Sequence, residues 1–91
     1  MEVLRDASAG SLESSDVLVR ISKSDKDGID LSVESVVIKQ FGKRIRDVAM
    51  EVVGDRGLSS AVVQVIDRGA LEYTLRARLE TAIERATAKD E

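Results

Sequence analysis

A chain of 91 residues with no cysteine, histidine, tryptophan or proline has room for one domain, and it excludes disulfides, thiolate or imidazole metal ligands and any Ser-His-Asp or Cys-His mechanism. Its 43% hydrophobic and 34% charged residues mark a folding chain rather than a disordered one. A net charge of −3, with one Tyr and one Phe, opposes nucleic-acid binding, which needs clustered cations and stacking rings.

Residues 1–16 form an N-terminal segment that ends in small and polar positions. Ala-Ser-Ala-Gly-Ser-Leu-Glu-Ser-Ser-Asp over residues 7–16 suits an exposed loop or hairpin end. Val17, Val19 and Ile21 then alternate with Leu18 and Arg20, and after a polar turn at residues 22–28 Ile29, Leu31 and Val33 alternate with Asp30, Ser32 and Glu34. Two such runs predict an antiparallel hairpin with one buried face. From Val37 the period becomes helical, with Val37, Phe41, Ile45, Val48, Ala49 and Val52 on one stripe, Ser35 as the expected N-cap and Gly54 as the expected left-handed terminator.

Residues 61–66, apolar on both faces, predict a central strand. Asp67-Arg68-Gly69 reads as a turn. The segment 71–79 fits two periods: Leu71, Tyr73, Leu75, Ala77 and Leu79 alternate, while Leu71, Leu75, Leu79, Ala82, Ile83 and Ala86 form a helical stripe. The turn chemistry with Tyr73 and Thr74 favours a strand to Arg78 and a short helix to Thr87. The expected fold is a single α+β domain over 1–91, a small two-layer structure with an antiparallel sheet of four to five strands and two helices packed on one face.

Charge is unevenly placed, with four basic and eight acidic residues in 1–35 against ten and nine in 36–91. No apolar run approaches the ~18 residues that span a bilayer, and the start lacks the layout of a signal peptide, so a cytoplasmic protein without membrane contact is expected. Asp25, Asp27 and Asp30 miss the spacing of a calcium loop and read as a solvated turn, so no metal site is expected. Lys39, Lys43, Arg44 and Arg46 line a helix face that is either solvated or meets phosphates or an acidic partner. Arg76 and Arg78 read as charges on an edge strand. The carboxylates Glu13 and Asp16 lie in an expected loop without a pocket, and Ser11, Ser14 and Ser15 have no base in the chain to activate them, so catalysis by the chain alone is not expected.

Residues 9–17, Ala-Gly-Ser-Leu-Glu-Ser-Ser-Asp-Val, closely resemble the N-terminal signature of the acyl carrier (gamma chain) family of citrate lyase, which has Thr at the position of Ser11. The resemblance continues at Lys39-Gln40-Phe41-Gly42, Ile45-Arg46-Asp47-Val48, Asp67-Arg68-Gly69-Ala70-Leu71-Glu72 and Leu75-Arg76-Ala77-Arg78. It implies a non-catalytic carrier in which Ser14 bears phosphoribosyl dephospho-coenzyme A through a phosphodiester. Glu13, Ser15 and Asp16 are then expected as flanking recognition positions, with the two carboxylates read by partners and discouraging a polyanionic arm from folding back. It implies partners as well: a holo-carrier synthase that loads the arm, an alpha (transferase) subunit and a beta (lyase) subunit between which the arm carries acetyl and citryl groups as thioesters. A citramalate lyase carrier uses the same kind of arm and is an alternative reading; a non-catalytic interaction module is another. An ordinary phosphopantetheine carrier is disfavoured by the lack of an Asp-Ser-Leu motif and by the strand content.

Overall fold

The computed structural model describes residues 1–89 and has the element order β1 (Ala7–Gly10), β2 (Val17–Ser22), β3 (Gly28–Ser35), α1 (Ile38–Asp55), β4 (Ser60–Asp67) and α2 (Glu72–Thr87). The expected two-layer α+β architecture is present, with a four-stranded sheet and two helices packed against it. The strand order is β1-β2-β4-β3. β1–β2 and β2–β4 are antiparallel, and β3–β4 is parallel, so the sheet is mixed rather than wholly antiparallel.

β2 and β3 do not pair, contrary to the expected hairpin. Each has only one apolar face, whereas β4 is apolar enough to take the centre, as its composition predicted, and it lies between them. The connection over residues 23–27 therefore crosses two strand spacings, about 10 Å, which a tight hairpin turn cannot do. Residues 7–10, expected in a loop, form the short edge strand β1, in register Ala9↔Val19 and Ala7↔Ile21.

One row across the sheet, Ala9, Val19, Val65 and Val33, shows how the core is built: each is paired with the next, and all four pack in the apolar cluster. α2 covers β1 and β2, α1 covers β3, and the helices touch each other. Leu79, Ala82, Ile83 and Ala86 of α2 are fully buried, as are Val48 and Ala49 of α1.

The segment 72–78 is helical, not a strand. Its period-3.6 stripe continues through Ala82, Ile83 and Ala86, so one helix buries all of these residues, and that gain overrides the strand preference of Tyr73 and Thr74. Arg76 and Arg78 accordingly belong to a helix and face different neighbours, instead of lying side by side on an edge strand. Two cap assignments shift too. α1 begins after Val37 with no side-chain cap; two residues before it the Ser35 hydroxyl donates to Asp67 Oδ2 at 2.8 Å and accepts the Val37 N–H at 3.0 Å, so Ser35 closes a turn ahead of the helix instead of capping it. The left-handed terminator is Gly57 (φ +73°), a turn beyond Gly54, and its N–H bonds the Gly54 carbonyl while Leu58 N–H returns to the Val53 carbonyl.

Candidate functional site

The β1–β2 connection, residues 11–16, occupies the end of the sheet where β4 also finishes, since Val17 pairs with Asp67. Gly10 opens it at φ +90°, where a Cβ would overlap the Val17 carbonyl oxygen. Only glycine lets β1 leave the sheet this tightly.

Within the loop, Asp16 N–H donates to the Glu13 carbonyl at 3.1 Å, which makes Ser14 and Ser15 the central residues of a four-residue turn. Ser15 takes the left-handed conformation at φ 67°, a strain of about 1–2 kcal/mol for a side chain with a Cβ. Two exchanges hold it there: Ser15 N–H donates to the Arg68 carbonyl at 2.8 Å, and Arg68 N–H to the Asp16 carbonyl at 2.9 Å. The turn is thus stitched to the β4–α2 connection.

Asp16 is the organising side chain. Its Oδ1 accepts the Val17 N–H at 2.7 Å and its Oδ2 the Ser11 hydroxyl at 2.7 Å, while the Arg78 guanidinium donates to both oxygens at 3.1 Å. Such a fork matches a carboxylate in two parallel bonds. The Ser11 hydroxyl, then Arg78 and the Val17 N–H, hold the Asp16 carboxyl down to about 2. Ser11 also accepts the Glu13 N–H at 3.2 Å.

Of the three serines the sequence singles out, Ser11 is therefore engaged through its hydroxyl. Ser14 and Ser15 are both exposed and make no side-chain hydrogen bond among the described residues. Glu13 is exposed; Asp16 is turned into the clasp. Arg68 is exposed and has no ion pair among the described residues. Of the cations on α1, Lys43 pairs with Asp47 at 2.7 Å, Arg44 donates to Glu72 at 2.7 Å and Arg46 reaches the Leu31 carbonyl at 3.5 Å, while Lys39 has no such partner among the described residues.

Two functional-end residues were hidden in the sequence. Arg78, expected on an edge strand, stands on α2 and reaches the loop from there. Asp67, read as part of a turn, is 4% exposed and ties the end together: Oδ2 accepts the Ser35 hydroxyl and Oδ1 the Ala70 N–H at 3.0 Å. The signal for Asp67 was an acid closing an apolar strand, a position that burial forces into hydrogen bonds. Among the described residues no three carboxylates gather where a metal could sit, and no helix is long and apolar enough to cross a membrane.

The chain is 50% identical over 91 residues to the citrate lyase acyl carrier protein of Escherichia fergusonii, covering all of this chain and 94% of that one. The chain belongs to the citrate lyase acyl carrier protein family. It is also 46% identical over 86 residues to the Streptococcus mutans citrate lyase acyl carrier protein, covering 94% of this chain and 84% of the other. The family model described as malonate decarboxylase delta subunit (MdcD) matches residues 4–86. In fold it is similar to a chain of a Pseudomonas malonate decarboxylase hetero-tetramer, with TM-score 0.70, 18% identity, and coverage of 90% of this chain and 84% of that one. Membership assigns the role of an acyl carrier, a non-catalytic one, and a chain lacking imidazole and thiol groups suits it.

Proposed function

We propose that Ser14 carries the prosthetic arm, phosphoribosyl dephospho-coenzyme A joined through a phosphodiester, and that the chain works as the carrier subunit of a hetero-oligomeric lyase complex that cleaves citrate. When bound, the arm supplies a thiol that this cysteine-free chain does not encode. The observation that carries the reading is an exposed, unbonded Ser14 hydroxyl at the corner of a turn whose neighbours are tied down by hydrogen bonds. A loading enzyme meets a fixed nucleophile there, not a wandering one. The choice of Ser14 over Ser15 rests on the family pattern, in which the first serine of the pair is used.

The residues present fit such a polyanionic group. Arg78 and Ser11 satisfy the Asp16 carboxylate, so no bare anion adjoins Ser14 on that side, and Arg68, joined to the turn by two backbone hydrogen bonds, offers a cation with no ion pair among the described residues. Glu13, exposed beside Ser14, is free to be read by the holo-carrier synthase or by the transferase and lyase subunits. Asp16 and Ser15 act through loop shape: one holds the clasp, the other the left-handed corner.

Intact mass and peptide mapping of protein from cells with an active lyase tests this. The arm's mass on the peptide containing Ser14 is the expected result. An unmodified native protein, or an adduct on Ser11 or Ser15, overturns the assignment.

A further inference from the structure

Beside the attachment loop lies a groove of about 420 Å³, walled by Val37, Phe41 and Ile45 of the α1 side and Leu71 and Leu75 of the α2 side, with the Arg44–Glu72 ion pair among its lining. Its size falls within the range of small-molecule sites, and its walls are chiefly aliphatic and aromatic. Phe41 and Leu71 are 55% and 60% exposed, so large apolar faces stand in water around it. In a domain this small, that exposure calls for an occupant.

The loop is joined to two walls of the groove. Arg68, bonded through its backbone to Ser15 and Asp16, is followed directly by Gly69 and Ala70, which line the groove. Arg78, which clasps Asp16, sits three residues along α2 from Leu75, on the same side of the helix. Two chain steps and one cross-strand spacing separate Ser14 from the groove wall, about 13 Å at most.

We propose that this groove receives the uncharged, thiol-bearing end of the arm carried by Ser14, folded back onto its own carrier, with Arg68 facing the arm's phosphates. The proposal rests on the reading of Ser14 as the attachment point. Charge complementarity selects the arm as occupant. Moving away from Ser14 the arm is first anionic and then an uncharged chain of amides; on the side of the β4–α2 connection, away from the exposed Glu13, the protein presents Arg68, without an ion pair among the described residues, and then an apolar groove. Weak affinity suffices, because a tethered ligand has an effective concentration of order millimolar. A millimolar groove would then hold the end about half of the time and release it freely to partner sites.

The chain has no cysteine, so the arm's thiol is the sole thiol of the loaded carrier and can be followed by alkylation with iodoacetamide. Intact mass first establishes the arm on Ser14; its absence would overturn the attachment reading itself. With the arm present, amide resonances of apo and loaded carrier are compared. Shifts at Phe41, Gly69, Ala70, Leu71 and Leu75, and a thiol alkylated about twofold faster in a Phe41→Ala, Leu71→Ala variant, are expected. Both side chains are largely exposed, so that variant keeps the core intact. Shifts confined to residues 11–17 with equal alkylation rates overturn the groove while leaving Ser14 untouched. Groove shifts that emerge only on adding a partner subunit assign the groove to protein docking and also overturn the proposal.

Discussion

The chain has two polar connections at the two ends of β2, each with two acids: residues 11–16, with three serines, and residues 23–27, with one serine and two lysines. The first is woven: Asp16 takes bonds from Ser11, Val17 and Arg78, and two further backbone bonds run to Arg68. The second is sparsely held, by Lys26 N–H to the Ser24 hydroxyl and the Ser60 hydroxyl to the Lys26 carbonyl, and its Asp25 and Asp27 are exposed. Each has a glycine at nearly the same left-handed φ, +90° at Gly10 and +91° at Gly28, yet a Cβ at Gly10 would strike the Val17 backbone while one at Gly28 meets nothing within 4 Å. Two polar, acid-bearing segments of similar length thus make a shaped loop in one place and a mere connector in the other. The difference lies in what packs alongside: β4–α2 and Arg78 abut the first loop.

The largest expected contrast is between serines. Ser14→Ala abolishes the mass increment on loading, whereas Ser24→Ala in the second loop loads as wild type does. Full loading of Ser14→Ala would remove the functional half of the comparison. The glycines come next. Gly28→Ala should cost about 1–2 kcal/mol, the backbone term alone, and Gly10→Ala clearly more, since the β1–β2 pairing must open to admit the methyl group. Urea midpoints for the two variants measure this, and equal losses would show that the Gly10 contact is relieved cheaply.

How much of this was legible follows from what periodicity can say. Alternation at Val17, Val19 and Ile21 names the buried face of β2 correctly but not its neighbour, so β4 between β2 and β3 could not be read. Leu71, Leu75 and Leu79 satisfy period 2 and period 3.6 alike. The helical stripe through Ala82, Ile83 and Ala86 is legible in the sequence, but the β-forming Tyr73 and Thr74 after a turn weigh against it locally, and only the burial gained by one continuous helix decides the matter. That local strand preference also hides the site's clasp, because Arg78 reaches Asp16 only from a helix lying across β1 and β2. The serines themselves were visible through the family signature. Physics could name the loop, but the structure only narrows its three hydroxyls to two, Ser14 and Ser15, by occupying Ser11.

The clasp supplies the next contrast. Arg78→Ala should slow loading by about 10–100-fold, the scale of a misplaced reacting group, with Arg78→Lys partly restoring it. The core is barely touched, since the Arg78 side chain is 41% exposed. Acid offers the same test without mutation. The Asp16 carboxyl is lowered from 3.8 to about 2 in the folded chain, so the stability it contributes is complete above pH ~4 and disappears as pH falls through about 2. The Val17 amide resonance, bonded to Asp16 Oδ1, should titrate with a midpoint near 2. A midpoint at the ordinary carboxylate value would mean that the clasp is open in solution.

The smallest effect belongs to the second loop and serves to break the comparison if it is wrong. Neutralising both of its acids, Asp25→Asn with Asp27→Asn, removes no hydrogen bond that holds the fold, since Lys26 and Ser60 are bonded through the Lys26 backbone. Stability should stay within about 0.5 kcal/mol per site, the usual surface range, and the rate of loading should not change, because the turn lies at the opposite end of β2 from Ser14. A slower loading rate in this variant, with an unchanged urea midpoint, would show that the loading enzyme reads charge on both ends of the domain, and that the sparsely held loop is a recognition element rather than a connector.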